Sequence, residues 1–197
     1  MRRSWTWRTV APRALEVVRE EGWRSLGRKV LADSVLRRLV LVEAEAGPRP
    51  RGDDDVEVGW GSVDEYAALR PDVDVTARLE RGDRLLVARR EGRIVSSAWL
   101  AERRARVEYL DRWLDVPPGA LYLYDVFTPP EERAHGYYGA MLDRFLAGER
   151  HGRRVLAAVL PGASTAERAL ARAGFRPVGA VGYVALGRWR RHFERRA

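Results

Sequence analysis

Residues 121–142 read Leu-Tyr-Leu-Tyr-Asp-Val-Phe-Thr-Pro-Pro-Glu-Glu-Arg-Ala-His-Gly-Tyr-Tyr-Gly-Ala-Met-Leu. The β-rich run Leu121–Phe127 stops at Pro129-Pro130, and a loop with Arg133 and Gly136 follows. Apolar residues then fall at Tyr138, Met141, Leu142, Phe145 and Leu146, which is helical spacing. A strand that passes through a glycine into a helix start builds an anion site. The first-turn amides have no partner within the helix, and the helix dipole favours negative charge there. The pattern predicts a phosphate-bearing ligand held by Arg133, Ala134, His135, Gly136, Tyr137 and Tyr138.

Downstream, Arg154–Leu160 reads as a buried strand, and Ser164–Ala173 as a helix closed by Gly174. Phe175–Leu186 reads as a strand bent at Gly179 and Gly182. Upstream, Arg84–Arg90 and Arg93–Ala101 flank Glu91-Gly92, a hairpin signal. Arg104–Tyr109 is a further strand, and Asp115–Gly119 a turn. Val56–Trp60 reads as a short strand, with short helices at Val63–Leu69 and Val75–Glu80. From Pro12 to Val42 an apolar stripe predicts helix, broken at Gly22 and Gly27. The expected fold is α+β, a mixed, mostly antiparallel central sheet with flanking helices and one parallel crossover, plus an N-terminal helical extension. The expected parts are a basic helical extension (1–47), a linker (48–55), the main domain (56–187) and a basic tail (188–197).

Composition excludes several chemistries. The 197 residues contain no cysteine, so a disulfide framework, a thiol nucleophile and a cysteine-bound metal are ruled out. Three scattered histidines make no metal set, and no metal is expected. The net charge of +8 divides into +6 over residues 1–42, −2 over 43–187 and +4 over 188–197. A nucleic-acid-binding body would carry its basic charge on the fold itself, so no nucleic-acid partner is expected. No apolar run is long enough to span a membrane, and Arg2, Arg3 and Arg8 lead into mixed polar sequence, so a cytoplasmic location is expected. Trp5, Trp7 and Trp23 among arginines suit either peripheral contact with an anionic membrane or packing on the main domain or a second subunit as a homodimer.

Over roughly Val56 to Leu186 the chain resembles the GNAT-type (general-control-related) N-acetyltransferases. Three stretches carry the resemblance: GDRLLVARREGRIVSSAWLA, LYLYDVFTPPEERAHGYYGAML and VLAAVLPGASTAERALARAGFRPVG. Arg133-x-x-Gly136 fits the first half of the family's Arg/Gln-x-x-Gly-x-Gly/Ala loop. The resemblance implies a V-shaped opening between two splayed strands. It implies acetyl-CoA, or another acyl-CoA, as co-substrate. The pantetheine arm would lie along Val126, Phe127 and Thr128, and the pyrophosphate on the amides of Arg133 to Tyr138. The implied reaction is direct attack of a small-molecule primary amine on the thioester. Asp125 is the candidate base or substrate contact, since a carboxylate within a β run needs a partner. Tyr183, ahead of Tyr122 and Tyr124, is the candidate acid. Three departures stand out. Tyr138 replaces a small residue and fits only if its ring turns into the core. Ala163 stands where asparagine is common. Leu170 stands where many members carry the tyrosine that protonates the thiolate. The departures at Ala163 and Leu170 leave open a non-catalytic acyl-CoA-binding or scaffold domain. A third reading is a membrane- or nucleic-acid-associated module acting through the basic ends.

Overall fold

The computed structural model describes residues 36–47, 55–186 and 189–196. The chain divides into two compact units: residues 39–181 with 194–197, and residues up to 38 with 182–193. The larger unit is built on a sheet of order β1-β8-β7-β4-β3-β2. Its strands are β1 (Leu36–Glu45, from Leu39), β2 (Glu57–Trp60), β3 (Arg84–Arg90), β4 (Arg93–Ala101), β7 (Leu121–Phe127) and β8 (Arg154–Val159). Only β7 and β8 pair in parallel; the other neighbours are antiparallel. Strands β5 (Arg104–Val107) and β6 (Arg112–Asp115) form a separate two-stranded sheet. The α+β class and the mixed, mostly antiparallel sheet are as expected.

Period-two alternation in β3 and β4 supplies a core on both faces of the sheet. Leu86, Ala88, Ala98 and Leu100 pack with Met141, Leu142, Phe145 and Leu146 of helix α3 (Tyr137–Gly148). Leu170 of helix α4 (Ser164–Arg172) and Phe175 join the same cluster. On the other face Leu85, Val87 and Trp99 pack with Tyr66 of helix α1 (Val63–Leu69) and with Val75, which precedes helix α2 (Thr76–Glu80). Ser62 and Glu65 form a reciprocal capping box that starts α1. Glu65 then clamps α1 to β3 through three bonds of 2.7–2.9 Å from Arg89.

Two expectations about the ends need correction. Leu36–Val42 is strand, not the end of a helix. Val40 to Glu45 pair with Val159 to Arg154 of β8. The run Leu39-Val-Leu-Val42 is rich in β-branched residues, and a long-range sheet edge overrides its helical spacing. The basic end is not a bare tail: Trp189–Arg196 forms β10. Strand β9 (Arg176–Leu186) leads from the larger unit into the smaller. There the Tyr183 ring meets His192 edge-on at 5.4 Å, with Arg190 at 5.2 Å and Arg37 at 6.0 Å. The expected helices over 12–35, the tryptophans beside them and most of the linker lie outside the described residues.

Leu142 is fully buried, so Leu142→Ala is expected to cost about 2–5 kcal/mol in urea unfolding. The Glu65 carboxyl is held below its ordinary value by the Ser62 amide and by Arg89. A depressed carboxyl contributes stability above its unfolded value, near 4.5, and that contribution is lost as the pH falls through the folded one. Glu65→Gln is therefore expected to lower the unfolding midpoint at neutral pH and to flatten its decline on the acid side.

Candidate functional site

The site begins where the parallel pair separates. β7 and β8 pair only from Leu121↔Val155 to Leu123↔Ala157, yet both strands continue. Beyond Ala157, β8 keeps its bonds to β1 at Leu41↔Ala158 and Val40↔Val159. β7 keeps its bonds to β4 instead, with Trp99↔Tyr124 and Ser97↔Phe127. Two residues of β7, Asp125 and Val126, therefore lie opposite Ala98 alone, which is a β-bulge. Asp125 has φ 46°, a left-handed value that aspartate tolerates better than most residues. The bulge turns β7 away from β8 and leaves the β8-facing backbone of Asp125, Val126 and Phe127 outside the ladder.

The chain then runs through Thr128 and a 3-10 turn at Pro130–Glu132 to α3. Arg133 Nε donates to Thr128 O at 3.2 Å, folding the loop back on the strand end. Ala134 (φ 65°) and Gly136 (φ 81°) are both left-handed. Gly136 caps α3 without a side-chain bond, and the first turn holds no acidic residue. The helix amides are thus not taken by a side chain, and no carboxylate within the first turn opposes an anion. His135 stacks on Tyr137 at 5.4 Å. Arg90, at the end of β3, donates to Tyr137 Oη at 2.7 Å. Arg133 and His135 lie in the loop at this helix start, and Arg90 reaches it through the Tyr137 hydroxyl. The donor set fits a polyphosphate: backbone amides with guanidinium groups beside them. Tyr138 packs against the core, the orientation its position requires. Leu170 is buried in that core.

A second group lies on the α1/α2 face. Asp125 Oδ2 accepts from Arg78 Nη1 at 2.5 Å and from Tyr66 Oη at 3.1 Å. Burial works against the Arg78 charge, but Asp125, with Tyr124 and Tyr66, outweighs it and raises the Arg78 pKa above its ordinary value. Burial, with the Asp125 charge, raises the Tyr66 phenol. Tyr124 donates to Asp83 Oδ2 at 2.8 Å, and Arg81 holds the same oxygen at 2.8 and 3.1 Å. Burial keeps Tyr122 and Tyr124 protonated well above the usual phenol range. Tyr183 belongs to the smaller unit. Asp125 and Val126 to Tyr138 belong to the larger one and follow each other along one strand, loop and helix.

Sequence reasoning missed Tyr66, Arg78, Asp83 and Arg90. Only the need of Asp125 for a partner was visible in the chain. Trp99 is core, as expected. No metal-binding group of three or more histidines or acids occurs among the described residues, and none of their helices is long and apolar enough to cross a membrane.

No family model and no curated protein matches the chain. Among solved structures it is similar to a GCN5-related N-acetyltransferase from Kribbella flavida, at 19% identity and a TM-score of 0.45, over 80% of this chain and 60% of that one. It is also similar to a GNAT-family protein from Novosphingobium aromaticivorans, at 22% identity and a TM-score of 0.49, over 75% of this chain and 64% of that one. A Salmonella typhimurium protein with acetyl-CoA as its cofactor matches at 16% identity and a TM-score of 0.44, over 72% of this chain and 92% of that one. The chain thus spans less than two thirds of the length of the first two.

Asp125→Asn would leave the Arg78 guanidinium, 13% exposed, without its charged partner. A loss of about 1–3 kcal/mol is expected, read by urea unfolding.

Proposed function

We propose that the chain is an acyl-CoA-dependent N-acyltransferase of the GNAT type, acetylating a small primary amine. The observation that carries this reading is the separation of β7 from β8 directly before a loop and helix start furnished for an anion. The open backbone of Asp125, Val126 and Phe127 would bond the pantetheine arm, with Thr128 at its end. The amides from Arg133 to Tyr138 would take the pyrophosphate, helped by the Arg133, His135 and Arg90 side chains.

The amine nitrogen forms a bond to the thioester carbon, and the carbon–sulfur bond breaks. Nitrogen loses one proton and the departing thiolate gains one. A backbone amide near Val126 or Thr128 would stabilise the oxyanion. Asp125 would accept the amine proton through water, the amine arriving neutral so that its lone pair can attack. Tyr124, at the strand separation, would return a proton to sulfur. A non-catalytic acyl-CoA-binding domain is the second reading, favoured by the Asp125–Arg78 pair and by the buried Leu170.

Calorimetric titration with acetyl-CoA tests the cofactor site. Saturable binding is expected, and the double variant Arg133→Ala, Gly136→Glu is expected to lose it. Equal binding by the double variant would rule out this loop as the site, and no binding by the unmutated protein would remove the reading.

A further inference from the structure

The chain segments of the smaller unit, residues 1–38 and 182–193, hold 13 basic and 4 acidic residues, a net +9, while the rest of the chain stands at −1. One unit thus holds the whole positive excess of the protein. None of its four acids lies among its described residues, which are 36–38, 182–186 and 189–193. Glu194, the next residue of β10, is in contact with Arg112 at 3.5 Å.

The strands of this unit lie in the order β10-β9-β1. Period-two alternation sorts their side chains between two faces. Arg37, Arg190 and His192 all meet the Tyr183 ring, so they share its face. Leu36, Arg38, Val184, Trp189 and Arg191 each stand one residue away from that set and share the opposite face. The Phe193 ring closes on Gly182 there, as the alternation requires. All five of these side chains are exposed, Trp189 by 74%, Leu36 by 44% and Val184 by 38%. Apolar and basic groups therefore alternate across one open face.

Arginines on an open sheet edge keep it from pairing with other chains. That role needs no indole, and Trp189 is the most exposed large apolar side chain among the described residues. We infer that this face is a peripheral docking surface for an anionic lipid bilayer. Arg38 and Arg191 meet the headgroup phosphates, and Trp189, Leu36 and Val184 enter the boundary between headgroups and acyl chains. A second copy seated face to face would bring arginine onto arginine. A nucleic acid would engage the arginines and the indole, but it offers no apolar phase to Leu36 and Val184. A bilayer serves both groups, and tryptophan favours its interface. The contact is peripheral, since no helix among the described residues is long and apolar enough to cross a membrane.

Sedimentation with vesicles tests the surface. Vesicles of phosphatidylcholine alone are compared with vesicles of phosphatidylcholine and phosphatidylglycerol in equal parts. The protein is expected to bind the anionic vesicles about tenfold tighter or more, and to be released by salt. Arg38→Glu and Arg191→Glu are each expected to weaken that binding about fivefold or more, the worth of one basic residue at such a surface. Trp189→Ser is expected to weaken it about tenfold, through the loss of buried apolar area. The basic residues before Leu36 remain in all three variants, so unchanged binding by the variants overturns the inference. Binding to a DNA duplex that is as tight and is lost in the same variants also overturns it.

A second readout keeps the charges and the indole in place. The chain has no cysteine, so Val184→Cys carries a single environment-sensitive dye on this face. Its emission is expected to shift to the blue on the anionic vesicles, and not on the neutral ones or with duplex DNA. An unmoved emission on the anionic vesicles overturns the inference, as does an equal shift with DNA. The dye alone decides should a substituted variant not fold.

Discussion

Everything around the opening depends on one carboxylate at one bulge. Asp125 adopts a left-handed backbone in the middle of a strand, and two helices hold its side chain there. Tyr66 comes from α1 and Arg78 from α2, so the bulge, both helices and the sheet are locked through a single oxygen. Tyr66 also meets Trp99 edge-on at 5.4 Å, which fixes the phenol over β4. Because the extra residue sits in β7 and not in β4, the strand keeps its antiparallel partner and gives up its parallel one. The direction of the opening follows from that choice.

The two faces of the sheet then carry different chemistry. The α3 face is apolar up to the helix start, where amides and guanidiniums collect. The α1/α2 face is a chain of charged and aromatic groups. Arg81 stacks on Trp113 at 5.2 Å while it holds Asp83, and Asp83 in turn holds Tyr124. Trp113 is thereby linked to the strand separation through two side chains. It lies in the small β5–β6 sheet.

What was legible in the chain was local. The helical spacing after Gly136, the hairpin at Glu91-Gly92 and the stop at Gly174 all depend on neighbours within a turn or two, and each lies where it was read. The bulge partners were not legible. Arg78 is 47 residues from Asp125 and Tyr66 is 59 residues away, and no spacing rule joins them. Arg78 also sits on a five-residue helix, too short to show a face. β1 misled for a related reason. Its alternation is irregular, with Leu41 and Val42 both buried, so a helical stripe fits the letters as well as a strand does. Pairing with strands such as β8, more than a hundred residues on, decides between them.

That distance has a consequence for how the protein is made. Val40 pairs with Val159, 119 residues later. At ribosomal rates of about 5–20 residues per second, β1 waits roughly 6–24 s for its partner strand to be synthesised. During that interval Leu39-Val-Leu-Val42 is an unpaired apolar strand on a nascent chain, the kind of segment that recruits wrong partners. Arg37 and Arg38 before it, and Glu43 and Glu45 after it, bracket the run with charge. They are placed as gatekeepers for a strand that is made long before β8, its partner in the sheet.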